Sequence, residues 1–149
     1  MTLYFAYGSN MDAAQMKERC PNAELLGPAV LKNYELAFTI YSQKRKCGCA
    51  DVVPKDGALV YGLLYRLTDE DQERMNAHEG HPIHYQRVTV TVTHSGEDQE
   101  AVTYEVVNKQ EPIPTSNEYL DLLRNAAKLH AFPEDYQAML AAFVPKEIL

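Results

Sequence analysis

Residues 57–80 read GALVYGLLYRLTDEDQERMNAHEG, and a change of pattern inside this stretch decides the fold class. Ala58 to Leu67 is nearly continuous apolar sequence and predicts a buried strand. Gly62 interrupts it, and a glycine inside a strand marks a bulge or the close approach of another segment. Thr68 then offers a side-chain oxygen to a helix start, and Asp69, Glu70 and Asp71 fill the first turn, where the helix dipole favours negative charge. The helix is predicted to reach about His78 and to stop by Gly80-His81-Pro82.

Upstream, Leu3 to Tyr7 is an aromatic-rich run that stops at Gly8-Ser9-Asn10, a strand ending in a loop. A short helix is expected over Asp12 to Arg19, ended by Pro21. Leu25 to Tyr41 reads as a strand or strand pair broken at Gly27-Pro28, and 42–49 as a polar loop. Ala50 to Val53 reads as a short strand closed by Pro54 and a turn at Lys55-Asp56-Gly57. Downstream, Tyr85 to Thr93 alternates with period two, Ser95 to Asp98 is a hairpin turn, and Glu100 to Val107 returns. Thr115 or Ser116 caps a helix of about 13 residues with Tyr119, Leu122, Leu123, Ala126 and Leu129 at helical spacing. Pro133 opens a last helix to about Phe143. The pattern predicts one α+β domain over 1–149: a mostly antiparallel, curled sheet with helices at its ends and edges.

Composition narrows the function classes. The chain has 149 residues, 46% hydrophobic, enough for one core, and a net charge of -7 that repels phosphate backbones. Nucleic acid is therefore not an expected partner. Nor is a membrane, because no apolar run approaches the roughly 18 residues of a span. The N-terminus lacks the basic and apolar regions of a signal peptide. Three cysteines without C-x-x-C spacing read as reduced thiols of a cytoplasmic protein. The oligomeric state stays open, a homodimer included.

Two loops carry candidate chemistry. After Tyr7, the turn Gly8-Ser9-Asn10 precedes a helix start and presents unpaired backbone N–H groups, which suit a carboxylate or phosphate. Read alone, it is also an ordinary turn. The second loop, AHEGHPIHY (77–85), holds His78, His81 and His84, but Gly80 and Pro82 break any helix that would align them, and H-E-x-x-H is absent. No metal site is expected there. Glu79 differs in kind. It sits at a helix C-terminus, where the dipole disfavours its charge, and partial burial would raise its pKa towards the range of a proton shuttle. Read locally, it is also a solvated helix end.

YFAYGSNM (4–11), the stretch 57–80 and PTSNEYLDLLRNAAKLHAFPEDYQAML (114–140) together, in this order, resemble the γ-glutamylcyclotransferase family. The resemblance runs from about residue 3 to residue 140. It implies a small curled β-sheet, near a barrel, with peripheral helices, and a cavity where the 7–10 loop meets the 79–80 loop. Gly8, Ser9 and Asn10 would hold the γ-glutamyl part of a small-molecule substrate, with Tyr7 at the head of the loop. Glu79 would be the general acid/base, and Tyr85 and Tyr119 would line the site, although packing in the core accounts for either tyrosine equally well. The implied reaction is cyclisation of a γ-glutamyl amino acid or amine to 5-oxoproline, without metal or cofactor. The alternatives are a module that binds a small carboxylate without turnover, and a cyclotransferase for a different γ-glutamyl adduct. The leaving group is left undetermined, because loops such as 42–49 and 108–116 would line its pocket.

Overall fold

A computed structural model describes residues 1–143 of the chain, so the last six residues of the expected domain lie outside the described residues. Its strands are β1 (Thr2–Ala6), β2 (Glu24–Ser42), β3 (Cys47–Leu67), β4 (Tyr85–His94) and β5 (Glu97–Val106). Its helices are α1 (Ala13–Arg19), α2 (Asp69–His78), α3 (Asn117–Leu129) and α4 (Glu134–Ala142). The strands close into a barrel in the order β1-β3-β2-β4-β5. Neighbours are antiparallel except β1 and β5, which run parallel and meet at Tyr4 and Val102. The expected α+β class and curled antiparallel sheet are what the molecule has.

The middle of the chain corrects the sequence reading. Gly27-Pro28 does not break the strand, and residues 47–67 form one strand rather than two. Breakers in sequence become bulges in space: Leu26 is skipped between the pairs Leu25–Tyr65 and Gly27–Leu64. Farther along, Asn33 alone faces residues 55–58, with Lys32 opposite Leu59 and Tyr34 opposite Pro54. Asn33 sits at φ 66 and its Oδ1 accepts from the Gly57 N–H at 3.0 Å, so the extra residues bow out without ending the ladder. The expected loop 42–49 shrinks accordingly to a tight turn at 43–46.

Helix starts follow local chemistry. The Asp12 carboxylate accepts from the Gln15 N–H (3.0 Å), the Thr68 hydroxyl from Asp71 (3.1 Å) and the Ser116 hydroxyl from Tyr119 (3.1 Å). Of the two cap candidates for α3, Ser116 takes the role. This helix buries Tyr119, Leu120, Leu123, Ala126 and Ala127 against the barrel. Leu129, expected on that face, is instead 78% exposed, because it falls in the last turn, past the sheet. Phe5, Leu31, Val60, Leu64 and Val92 share one face of the paired strands and fill the barrel interior, while Leu63 is buried on the opposite face. Gly62 lies where β1 crosses: a Cβ there would stand 2.3 Å from the Ala6 carbonyl oxygen. The close approach fixes the end of β1 within the barrel wall, and with it the start of the loop that follows.

Candidate active site

β1 ends at Ala6, and the chain turns through a single 3-10 turn, Ser9–Met11, before α1. The N–H groups of Met11 and Asp12 bond back to Gly8 and Ser9. Those of Gly8, Ser9 and Asn10 have no acceptor among the described residues, which leaves three adjacent backbone donors at one place. The Ser9 hydroxyl accepts from Gln15 Nε2 at 2.7 Å. The Tyr7 hydroxyl is taken up elsewhere, by the Tyr104 carbonyl, and anchors the loop to β5.

Glu79 reaches the same place from α2. The helix ends in a Schellman arrangement, with His81 N–H on Asn76 O (3.0 Å) and Gly80 N–H on Ala77 O (3.2 Å). This needs a left-handed residue after the cap, and Gly80 supplies φ +68. A Cβ there would also stand 2.7 Å from the His84 ring. The Glu-Gly pair is thus a geometric unit: the glycine turns the chain so that Glu79, the capping residue, points back to the 7–10 loop. Asn10 Nδ2 donates to Glu79 Oε1 (3.3 Å) and to the Tyr4 hydroxyl (2.9 Å). Arg19, which can only donate, sits on Asn10 Oδ1 and so fixes which way the amide faces. Burial raises the Glu79 carboxyl to about 7, against the smaller opposing pull of Arg19, the Asn10 hydrogen bond and Arg45.

Tyr85 and Tyr119 converge on the backbone of one residue. Ala50 N–H donates to the Tyr119 hydroxyl and the Ala50 carbonyl accepts from the Tyr85 hydroxyl, both at 3.0 Å. Ala50 lies on the edge of β3 that has no neighbouring strand at this level. Gly48 N–H, two residues before, goes to the Pro114 carbonyl (2.9 Å), and Val52 N–H, two residues after, to the Asp51 carboxylate (2.8 Å). Asp51 itself is fully buried and held by Thr39, Val106 N–H and Lys109. Gly8 packs tightly here, since a Cβ would stand 3.2 Å from the Tyr119 hydroxyl oxygen.

These groups surround one open cavity of about 830 Å³. Tyr7, Gly8, Ser9, Asn10, Glu79, Tyr85 and Tyr119 all line it. Tyr4, Arg19, Arg45 and Tyr104, which sequence reasoning did not single out, line it as well. Tyr4 was visible as a tyrosine three residues before Tyr7, and Arg45 as part of the densest cationic run, but nothing local tied either to the loop. Cys49 is on the wall, and burial pushes its thiol up to about 12, so it stays protonated. The histidines diverge. His81 Nδ1 accepts from the Arg87 N–H (3.0 Å), His84 lies over Gly80, and desolvation, aided by the nearby cations Arg19, Lys44 and Arg45, lowers His78 to about 4. Among the described residues no three His, Cys, Asp or Glu side chains stand close enough to share a metal ion, and no helix is long and apolar enough to cross a membrane.

The family model described as gamma-glutamyl cyclotransferase, AIG2-like, matches residues 4–121. The chain belongs to this family. Gamma-glutamylcyclotransferase of Mus musculus is 28% identical over 97% of the chain and 80% of its own length. Putative gamma-glutamylcyclotransferase YkqA of Bacillus subtilis is 30% identical over 88% of the chain, which spans 48% of that longer protein. A solved structure named gamma-glutamyl cyclotransferase superposes with a TM-score of 0.92 at 27% identity, covering 99% of this chain and 90% of the other. In the γ-glutamylcyclotransferase fold of this chain, the cavity sits where the loop after β1 meets the end of α2.

Proposed function

We propose that the cavity cyclises a γ-glutamyl amino acid or amine to 5-oxoproline and releases the amino acid or amine, with Glu79 carrying the proton. The observation that carries this reading is a half-buried carboxylate raised to about 7, joined through Asn10 to a loop with three free backbone donors. The names of the relatives point the same way.

The α-amine of the substrate is a cation in water and must lose a proton before it can attack its own γ-carbonyl. The amine is far more basic than an ordinary glutamate, so the transfer is uphill. Raising the carboxyl from 4.5 to about 7 removes about 3 kcal/mol of that climb. The amine then attacks and a tetrahedral carbon forms. Glu79, now protonated, delivers its proton to the leaving nitrogen, the amide bond breaks, and the second proton of the ring nitrogen passes through Glu79 to the departing amine, which leaves as its ammonium. Backbone N–H groups of Gly8, Ser9 and Asn10 suit the α-carboxylate or the developing oxyanion. The turn they form would hold the substrate folded, with amine and carbonyl in reach. Tyr119 and Tyr85 brace the opposite wall through Ala50.

Glu79→Gln tests the reading, because it keeps size and hydrogen bonding but removes basicity. With γ-glutamyl dipeptides as substrates and 5-oxoproline as the readout, turnover is expected to vanish while 5-oxoproline still binds. Undiminished turnover would overturn the role of Glu79. Binding of 5-oxoproline by the unaltered chain with no turnover of any γ-glutamyl compound would make this cavity a binding module.

A further inference from the structure

The outer wall of the cavity is cationic in an acidic protein. Arg19, Lys44 and Arg45 all line it, and the same three border an adjoining recess of about 300 Å³ with Gln15, Glu18 and His78. The chain has 21 acidic against 14 basic residues, yet none of these three cations has a carboxylate within 4.0 Å among the described residues. Two of them are held in place by neutral partners. Arg45 donates to Gln15 Oε1 at 2.6 Å and lies over the Tyr119 ring, 5.2 Å from its centre. Arg19 donates to Asn10 Oδ1. Each guanidinium has five N–H donors, so most remain free. The acids nearby are Glu118 on the cavity wall, Glu18 in the recess and Glu79 on the floor.

We propose that this wall is a subsite for an acidic leaving amino acid, one that carries a second carboxylate beside its α-carboxylate. The inference rests on the cyclotransferase reading above. In that reading the γ-glutamyl α-carboxylate or the oxyanion takes the Gly8-Ser9-Asn10 donors, and an ordinary leaving amino acid brings one carboxylate to three unpaired cations. A second carboxylate uses the surplus. It also gains from the local positive field, which draws anions to the mouth of a site on an otherwise negative molecule.

The comparison that isolates charge from size is γ-glutamyl-glutamate against γ-glutamyl-glutamine, with kcat/KM read from 5-oxoproline release by the full chain. The acid is expected to be favoured by about fivefold or more at low ionic strength, the scale of a partly exposed ion pair. Salt at about 0.5 M should shrink the preference. Lys44→Gln, at an exposed position, should lower it, and adding Arg45→Gln should bring it close to unity. Equal use of acid and amide by the unaltered chain overturns the subsite while leaving the cyclotransferase reading intact. So does a preference that survives both substitutions. No 5-oxoproline from either compound overturns the underlying reading and the subsite with it.

Discussion

Asn10 grips Glu79 and Arg19 at once: its Nδ2 donates to Glu79 Oε1 at 3.3 Å while its Oδ1 accepts from the Arg19 guanidinium. One buried amide therefore separates a carboxylate from a cation that would otherwise pair with it. Direct pairing would stabilise the charged carboxylate and pull it back towards the ordinary range.

Asn10→Ala removes the donor that favours the charged form of Glu79, so the carboxyl should rise above about 7 if Arg19 keeps its place. The acidic limb of kcat/KM against pH should then move to higher pH. If Arg19 instead swings onto Glu79, the limb moves to lower pH, and the direction reports which contact wins. Stripping partners from Tyr4 and Arg19 should also lower stability by about 1–3 kcal/mol, checked by urea denaturation.

Stability should carry the signature of Glu79 as well. Its folded-state carboxyl lies near 7 and the reference value is 4.5. Between these values the folded chain holds a proton that the unfolded chain has lost, so stability falls as pH rises through the window. The full effect is about 3 kcal/mol. His78, lowered to about 4, works in the opposite sense between pH 4 and 6.5, and its exposure keeps its share small. Glu79→Gln keeps the His78 slope and removes the other. The difference between the two denaturation midpoints, measured from pH 4.5 to 7.5, should therefore grow with pH in favour of the variant.

The tyrosine wall can be loosened from either side. Gly8→Ala places a Cβ about 3.2 Å from the Tyr119 hydroxyl and 3.3 Å from Ala50 Cβ, so the ring must give by a few tenths of an ångström. A rise in KM for γ-glutamyl substrates with a stability loss on the order of 1 kcal/mol is expected. Tyr119→Phe leaves Ala50 N–H without its acceptor and should cost about 1–3 kcal/mol by thermal or urea denaturation.

Gly62→Ala is expected to be worse than either, because the 2.3 Å contact is with the Ala6 backbone and not with a flexible side chain. Shifting β1 to make room moves the 7–10 loop too. Loss of about 2 kcal/mol or more is expected in urea denaturation, with turnover falling further than the unfolded fraction accounts for.

What could be read in advance was what neighbours in sequence decide. Thr68 and Ser116 cap their helices because the partner N–H lies three residues away, and Gly80 ends α2 by its own φ. In the β2–β3 hairpin the sequence reading and the structure part because Gly27, Pro54 and Gly57 are breakers locally, whereas the ladder resumes beyond each irregularity and the chain stays one strand. The site divides in the same way. The 7–10 loop and Glu79 stood out through motif and helix end. The Asn10–Glu79 contact spans 69 positions and the Ala50–Tyr119 contact also 69, and no periodicity encodes either. Arg19 sits at the end of its helix with nothing nearby in sequence to tie it to Glu79.

The alternating partners along β3, a proline carbonyl for Gly48, two phenols for Ala50 and a carboxylate for Val52, have a meaning apart from chemistry. A bare strand margin is a template on which a stray chain can add itself and seed fibrils. Here every second amide is already engaged by something that cannot extend the ladder. The phenols that shape the pocket thus also cap a strand margin, closing it to any further strand.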